Sequence, residues 1–259
     1  MIIGTLNTAG VGGLKIRKLS RDSHWQWLKD GWSDLKRSRT PSFEVGGLVV
    51  AISLIIISAL YFSGYAAMIP VAGGAFAFAA PIIASLIYAI SSGLENWARV
   101  DDLYQAPFKP KSGSQIAFIG FFLGFMVLVW LRVATLLYAF TYGSGDMMGH
   151  NDFINFVLNT PQGMMMAVVG TILGAMLAII AFVFSAVSIP LTYDREIDAF
   201  TAMATSYRAV MANKTLMFSW AFVIAVMLVL SAFFAFVPLI VIFPWLGHVT
   251  WRAYRELVE

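Results

Sequence analysis

Residues 216–250 read LMFSWAFVIAVMLVLSAFFAFVPLIVIFPWLGHVT and contain no charged side chain. A single helix of that length would be about 52 Å long, whereas the hydrocarbon core of a bilayer is about 30 Å thick. Pro238 and Pro244 would also interrupt it, because proline lacks a backbone N–H and clashes with the preceding turn. The stretch therefore predicts two membrane segments, residues 216–236 and 238–250. The second is short, so a re-entrant segment is an alternative to a crossing.

The composition of the whole chain points to lipid as its solvent. Of 259 residues, 59% are hydrophobic and only 12% are charged, whereas soluble domains carry about 25% charged residues. The chain has no cysteine and three histidines. These counts exclude disulfides, iron–sulfur clusters and cysteine-based zinc sites, and we expect no cofactor and no metal.

Four further apolar stretches predict membrane spans, at residues 44–62, 66–90, 114–141 and 164–189. With six crossings, every basic residue except Arg132 falls on one side, which the positive-inside rule identifies as the cytoplasm. Five crossings would place Arg252 and Arg255 outside. The predicted fold is therefore all-α and polytopic, with about six transmembrane helices and both termini in the cytoplasm.

Two amphipathic helices are predicted on the cytoplasmic face. The first, residues 23–38, begins at Ser23 as its N-cap and follows a terminus, residues 1–22, that we expect to be flexible. Its lipid-interface residues are Trp25, Trp32, Lys29 and Lys36. Tryptophan edged with lysine is typical of helices that lie among anionic headgroups. The second helix, residues 194–213, has acidic residues in its first turns and basic residues near its end, which suits the helix dipole. Residues 23–259 then form one integral membrane domain.

Three stretches carry a family resemblance: WLKDGWSDLKRS at 27–38, SAVSIPLTYDREIDAFTAMATSYRAVMANK at 185–214, and PWLGHVTWRAYRELV at 244–258. Together they resemble an uncharacterised bacterial family of predicted integral membrane proteins, domain of unknown function 2189. The resemblance implies a bacterial inner membrane and brings no activity, substrate or catalytic residue. Some members are labelled as relatives of cytochrome c oxidase subunit I. Three histidines are too few to hold the haems and copper of that catalytic subunit, which leaves an accessory role.

Five residues are candidates for function, and each has a structural alternative. Arg132 is the only charge within a span, and such residues are functional candidates by default. It can instead snorkel to the outer interface or pair with Asp146 or Asp152. His248 suits haem ligation or proton gating, or is a satisfied interfacial histidine. The remaining candidates, Asp194, Arg208 and Arg252, can form an ion-pair layer with Glu44 and Asp198, or the acidic ones can cap helices.

No membrane-embedded polar constellation appears in the sequence, so we expect no enzyme. The leading hypothesis is a non-enzymatic accessory subunit or assembly partner of a larger membrane complex. Its expected partners are anionic lipids and other integral membrane proteins, among them a respiratory oxidase, and no nucleic acid. The alternative is a transporter or channel for a small or amphipathic solute, supported by prolines in the second and sixth spans, a weak internal repeat and Arg132.

Overall fold

The computed structural model describes residues 14–96, 110–143 and 148–259, and it confirms the all-α class. The helices in these ranges are α1 (Ser23–Arg37), α2 (Arg39–Phe62), α3 (Ile69–Ile83), α4 (Ser85–Glu95), α5 (Gly113–Thr141), α6 (His150–Asn159), α7 (Pro161–Ser185), α8 (Ser188–Asp194), α9 (Ala199–Ala212), α10 (Lys214–Ala232) and α11 (Leu239–Leu257). A one-turn 3₁₀ helix, Ala66–Met68, precedes α3.

Five helical stretches in the described residues are long and apolar enough to cross a membrane: Arg39–Phe62, Ala66–Glu95, Gly113–Thr141, Pro161–Asp194 and Lys214–Ala232. They correspond to the first five predicted spans. The predicted sixth span, residues 238–250, belongs to α11, which is not among them. That helix runs on to Leu257 and carries Arg252, Arg255 and Glu256 in its last two turns, so it is too polar to qualify.

The chain divides into two compact units, where the sequence analysis treated residues 23–259 as one domain. The first unit comprises residues 1–50, 81–120 and 182–259, as far as they are described, and the second comprises residues 51–80 and 121–181. The boundaries fall inside helices, because α2, α3, α5 and α7 each contribute residues to both units.

The first unit is organised around α11, which packs against α1, α4, α8 and α10. Glycines allow its closest approaches. A methyl group at Gly31 in α1 would lie 2.9 Å from the backbone nitrogen of Val249, and one at Gly247 would lie 2.8 Å from Cβ of Ile87 in α4. Because such distances are shorter than van der Waals contact, only glycine fits there.

The second unit contains a tryptophan on which two small residues pack. Trp130 of α5 donates its indole N–H to the carbonyl of Val71 at 2.8 Å. A methyl group at Gly74 or at Gly174 would come within 2.8 Å and 3.1 Å of the Trp130 ring, respectively. Small residues of this kind let membrane helices approach closely, and here they do so within the chain.

The second amphipathic helix begins later than predicted. Asp194 is the last residue of α8 and not the first of the next helix, which starts at Ala199. Asp198 is the N-cap, and its carboxylate accepts a hydrogen bond from the backbone N–H of Thr201 at 2.9 Å. The chain between Asp194 and Asp198 is extended at Arg195, so the pattern of acidic residues spans two helices.

The start of the first amphipathic helix also differs from the prediction. The N-cap is Asp22 and not Ser23, and its side chain makes no capping hydrogen bond. Gln26, which would complete a capping box with Ser23, instead donates to Asp30 one turn further on at 2.8 Å. The helix is therefore held by what it packs against more than by its first turn.

Part of the terminus expected to be flexible is held in place. Ile16 pairs with Val258 in an isolated antiparallel bridge. The backbone N–H of Arg17 donates to the carbonyl of Leu257 at 3.0 Å. The side chain of Asn213 accepts from the N–H of Leu19 at 2.9 Å and donates to the carbonyl of Arg17 at 3.0 Å. The segment before α1 thus joins the end of α11 to the turn between α9 and α10.

Candidate functional site

His248 lies at the centre of a buried cluster of hydroxyl groups. Its side chain is fully buried. Nδ1 lies 2.7 Å from Oγ of Ser91 in α4, and Nε2 lies 3.0 Å from Oγ of Ser42 in α2 and 3.3 Å from Oγ of Ser38. Because a hydroxyl can donate or accept, these serines satisfy either neutral tautomer of the ring. The cluster joins α2, α4 and α11.

The serines of this cluster also bond to each other and to the backbone. Oγ of Ser38 and Oγ of Ser42 are 2.9 Å apart, and Ser38 donates to the carbonyl of Asp34 at 2.8 Å. Ser38 sits between the end of α1 and the start of α2. The carbonyl of Asp34 thus accepts from both the hydroxyl and the backbone N–H of Ser38 at the end of α1.

A charged pair lies beside the histidine cluster. Arg252 donates through Nε and Nη2 to the two carboxylate oxygens of Asp34, at 2.6 Å and 2.8 Å. Asp34 is 2% exposed, so this bidentate pair compensates a carboxylate that has left water. The hydrogen bond to Asp34 also raises the pKa of the Arg252 guanidinium, which stays charged.

A second group of charges continues from this pair along the last turns of α11. Arg255 lies 3.3 Å from a carboxylate oxygen of Glu95 and 3.0 Å from one of Asp194. Tyr254 donates its hydroxyl to Asp194 at 2.7 Å. Burial, and then the hydrogen bond to Asp194, raises the pKa of Tyr254, so the hydroxyl keeps its proton and remains a donor. These contacts join α11 to the ends of α4 and α8.

Helix α1 packs against α11, and tryptophan side chains contribute to the contact. Trp27 donates its indole N–H to Glu256, whereas the carbonyl of its neighbour Leu28 accepts from the indole of Trp245 at 3.1 Å. Residues 245 and 256 are about 16 Å apart along a helix, yet adjacent residues of α1 reach both. Trp32 meets Trp245 edge to face at 5.4 Å between ring centroids.

One face of α1 remains exposed. Trp25 is 60% exposed, Trp32 is 39% exposed, and Lys29 and Lys36 are exposed beside them. The ammonium group of Lys36 lies 5.7 Å from the centroid of the Trp32 ring, within the range of a cation–π contact. These are the four residues predicted for the lipid interface, and we call this surface the Trp–Lys face.

The other sequence candidates lie apart from this site. Arg132 is exposed on α5 and makes no ion pair with any residue in the described ranges. Arg208 donates to Oγ of Thr205 at 3.2 Å on its own helix, α9. Asp146, a predicted partner of Arg132, lies outside the described residues.

Among the polar residues that meet along the last turns of α11, the sequence pointed to Asp194 and Arg252. It did not point to four others: Asp34, Glu95, Tyr254 and Arg255. A signal for Asp34 was present, because it lies two turns after Trp27 on the face of α1 that is buried. A carboxylate on such a face calls for a basic partner. The serines gave no signal, since serine is common in apolar helices and its hydroxyl usually bonds the preceding turn.

The polar side chains of this site link neighbouring helices through hydrogen bonds and ion pairs. His248, Arg252 and Arg255 of α11 each bond to neighbouring helices, and their partners lie on α1, α2, α4 and α8. Within the described ranges, no three histidine or carboxylate side chains come together as a metal site would require.

Comparison with known proteins finds a family whose model matches part of the chain. The profile of the family described as "Predicted integral membrane protein (DUF2189)" matches residues 68–194, which confirms the family indicated by the resemblance. The match ends at Asp194, so the charged residues of α11, among them Arg252 and Arg255, lie outside it. No curated protein and no solved structure matches the chain.

Proposed function

We propose that this chain, a member of the DUF2189 family of predicted integral membrane proteins, is a non-enzymatic accessory subunit or assembly partner of a larger membrane complex. It is a multi-pass membrane protein. The observation that carries the proposal is the use of the polar side chains of the first unit. His248 and Arg252 of α11 bond to side chains of neighbouring helices, among them Asp34. Such links make the unit rigid, as expected of a protein that binds other membrane proteins.

The Trp–Lys face supports a position at a membrane surface. Its two tryptophans and two lysines are exposed on the surface of α1. Tryptophan prefers the headgroup layer, and each lysine near an anionic surface contributes about 1 kcal/mol of attraction. We place this face against anionic headgroups of the bacterial inner membrane, on the cytoplasmic side, because the basic residues concentrate there.

The exposed apolar side chains of the spans are the surface on which we expect a protein partner to bind. Ile55, Phe121 and Val168 are 67%, 76% and 60% exposed on α2, α5 and α7. A photo-crosslinking amino acid at each position, introduced into the full chain in its native membrane, tests for a neighbour. We expect at least one position to form an adduct with a membrane protein. When the crosslinker is placed in that protein instead, it should in turn capture this chain.

Position 123 provides the matched control, because Leu123 lies on the same helix as Phe121 and is fully buried. Adducts at 121 but not at 123 support the proposal. Lipid adducts alone at all three exposed positions contradict it. A respiratory oxidase is the first complex to examine, and haem absorption in the co-purified material identifies it.

Arg132 favours transport as the second candidate function. Arg132 is exposed about two-thirds of the way along a span of 29 residues, where a charge is costly unless it serves a solute path or snorkels. Solute flux into proteoliposomes that is lost in Arg132→Ala and kept in Arg132→Lys supports a solute path. Equal flux in both variants and in empty liposomes rejects it.

A further inference from the structure

We propose that α10 and α11 do not cross the membrane but form a re-entrant hairpin, whose tip, residues 233–238, is immersed in acyl chains near the middle of the bilayer. The proposal concerns the path of the chain and does not depend on the proposed accessory function. It replaces the fifth and sixth crossings by two half-crossings.

The register between α2 and α11 gives the depth of the hairpin. Ser42, one turn into α2, lies 3.0 Å from His248. One turn further on, a methyl group at Gly46 would lie 2.8 Å from the carbonyl carbon of Ile240. Ile240 is the second residue of α11, so only the tip lies beyond it. These two contacts pair α11 with the first two turns of α2.

The helix α2 continues far past the point where the hairpin ends. From Gly46 it runs about 16 residues further to Phe62, which is about 24 Å of helix. The tip adds at most about one turn, or 5 Å, to the height of the hairpin. If α2 spans a hydrocarbon core of about 30 Å, the tip lies roughly halfway across.

The grouping of the helices agrees with this depth. The hairpin belongs entirely to the first unit, to which α2 contributes residues only as far as Val50. Of the other long helices, α3 contributes to that unit only from Pro81 onward, α5 only up to Gly120, and α7 only from Phe182 onward. The compact unit that contains the hairpin therefore includes sections of these spans and not their whole lengths.

The tip has the chemistry that a turn in hydrocarbon requires. The residues from Ala232 to Pro238 are all apolar, and Phe233 and Phe234 are 79% and 67% exposed. A backbone N–H inside a bilayer must find a partner within the protein. Those of Phe234, Ala235, Phe236 and Val237 all donate to backbone carbonyls of the hairpin, at distances of 2.8–3.2 Å.

The geometry of this turn explains how the backbone closes without polar side chains. Ala235 and Phe236 have φ of 51° and 62°, and Phe236 donates to the carbonyl of Ser231 at 2.8 Å. This is the arrangement of a Schellman-type helix end, in which a left-handed residue returns the chain to the last turn. The turn carries three phenylalanines and one valine. Such side chains are favourable in contact with acyl chains and unfavourable in contact with water.

The charge distribution fits the hairpin as well as it fits six crossings. Lys214 begins α10, and Arg252 and Arg255 lie near the end of α11, so both feet of the hairpin are on one side. Four crossings also return the chain to the side from which it started. The positive-inside pattern therefore does not require α10 and α11 to cross.

Site-directed spin labelling measures the depth directly, because the chain has no native cysteine. The full chain in lipid nanodiscs carries one label at Phe234→Cys, and collision rates with oxygen and with a water-soluble nickel chelate report its depth. Leu48→Cys, Ile52→Cys and Phe62→Cys form a ruler along α2, since all three side chains are exposed.

We expect the Phe234 label to match the labels at 48 and 52, with high oxygen and low nickel collision. Nickel accessibility equal to that at position 62 would show a full crossing and overturn the proposal. Low accessibility to both reagents would show a tip covered by protein and overturn its immersion in acyl chains. Val237→Cys, also exposed, gives an independent reading if the first variant does not fold.

Discussion

At the scale of residues, the central feature is a histidine whose two ring nitrogens both meet serine hydroxyls. Ser91 faces Nδ1, and Ser38 and Ser42 face Nε2. A buried polar group without a partner costs about 1–3 kcal/mol, and here each group has one. The cluster therefore stabilises the contact of α11 with α2 and α4 and specifies which residues meet.

Replacement of this histidine is expected to destabilise the first unit. His248→Ala leaves Ser91 without its partner at Nδ1 and opens a cavity, with a combined cost of about 3 kcal/mol. For a chain of this size that corresponds to a decrease of roughly 5–10 °C in melting temperature, measured by intrinsic fluorescence in detergent. His24→Ala, which removes a partly exposed ring hydrogen-bonded to the carbonyl of Arg21, should change it by less than about 2 °C. Equal effects would contradict the account.

The pair of Asp34 and Arg252 makes a second prediction. Removing one member of a buried pair costs about 3–5 kcal/mol, whereas replacing both with apolar residues is often nearly neutral. We therefore expect Asp34→Leu and Arg252→Met to lower the melting temperature strongly as single variants. The double variant should be more stable than Asp34→Leu alone, and strictly additive losses would show that the two side chains are not coupled.

The sequence revealed part of this residue-level site. His248 and Arg252 stood out because polar side chains are rare in and near apolar segments. Their partners on α1 and α4 did not, because the contact of α1 with the buried face of α11 depends on long-range packing. The pattern of tryptophan and lysine identified Trp32 and Lys29 on the exposed face, but it gave no sign that Leu35 of the same helix is buried, at 2% exposed.

At the scale of helices, adjacent glycines in α2 have different roles. A side chain at Gly46 would collide with the backbone of Ile240, whereas nothing lies within 4 Å of a methyl group at Gly47. Gly46→Val is therefore expected to force α2 and α11 apart and to lower the melting temperature by roughly 5 °C or more, since overpacking costs about 1–3 kcal/mol. Gly47→Val is the matched control, and an equal loss in it would contradict the close approach.

The N-cap of α9 predicts a pH dependence. Hydrogen bonds from Thr201 lower the pKa of Asp198, so the ionised carboxylate is favoured in the folded chain. Its stabilisation is fully present above the unfolded pKa of about 3.9 and is lost as the pH falls through the lower folded pKa. The melting-temperature difference between wild type and Asp198→Ala should be constant from pH 7 to pH 5 and should shrink below pH 4.

Asp22 supplies the control for this experiment. It is the N-cap of α1, but its side chain makes no capping hydrogen bond. Asp22→Ala should therefore have little effect at any of these pH values. A difference for Asp198→Ala that persists unchanged to pH 3 would mean that its carboxylate is not the stabilising group.

The Trp–Lys face predicts a dependence on lipid charge. In nanodiscs with anionic lipid, wild type should melt at a higher temperature than in zwitterionic nanodiscs, because Lys29 and Lys36 attract the headgroups. The double variant Lys29→Gln, Lys36→Gln should lose most of that difference. Lys214→Gln, an exposed lysine on another helix, should keep it, and equal losses would assign the effect to net charge alone.

Helix boundaries followed from the sequence where proline and apolar length determine them, and less well where packing does. The start of α2 at Arg39 and the end of α5 at Thr141 lie near the predicted limits of their spans. The break between α8 and α9 was not predicted. The break between α7 and α8 was not predicted either. At that break Ser206 of α9 accepts from the N–H of Val187 and donates to the carbonyl of Val183, so a side chain distant in sequence stabilises it.

At the scale of the whole molecule, composition was enough to identify a polytopic helical membrane protein. The number of crossings was not, because charge counts cannot distinguish two crossings from a hairpin that returns to its own side. The close approach of Gly46 to Ile240 is the observation that favours the hairpin we propose. The proposed function goes further than the fold. We infer, from a unit whose helices are linked by polar side chains, that the chain binds other membrane proteins.

The most direct test of that inference is the mass of the particle that carries the chain when its native membrane is extracted with its lipids into polymer nanodiscs. The account predicts a particle whose protein content exceeds the 28.5 kDa of this chain and includes a second, reproducible membrane protein. A particle containing only this 28.5 kDa chain and lipid would contradict it.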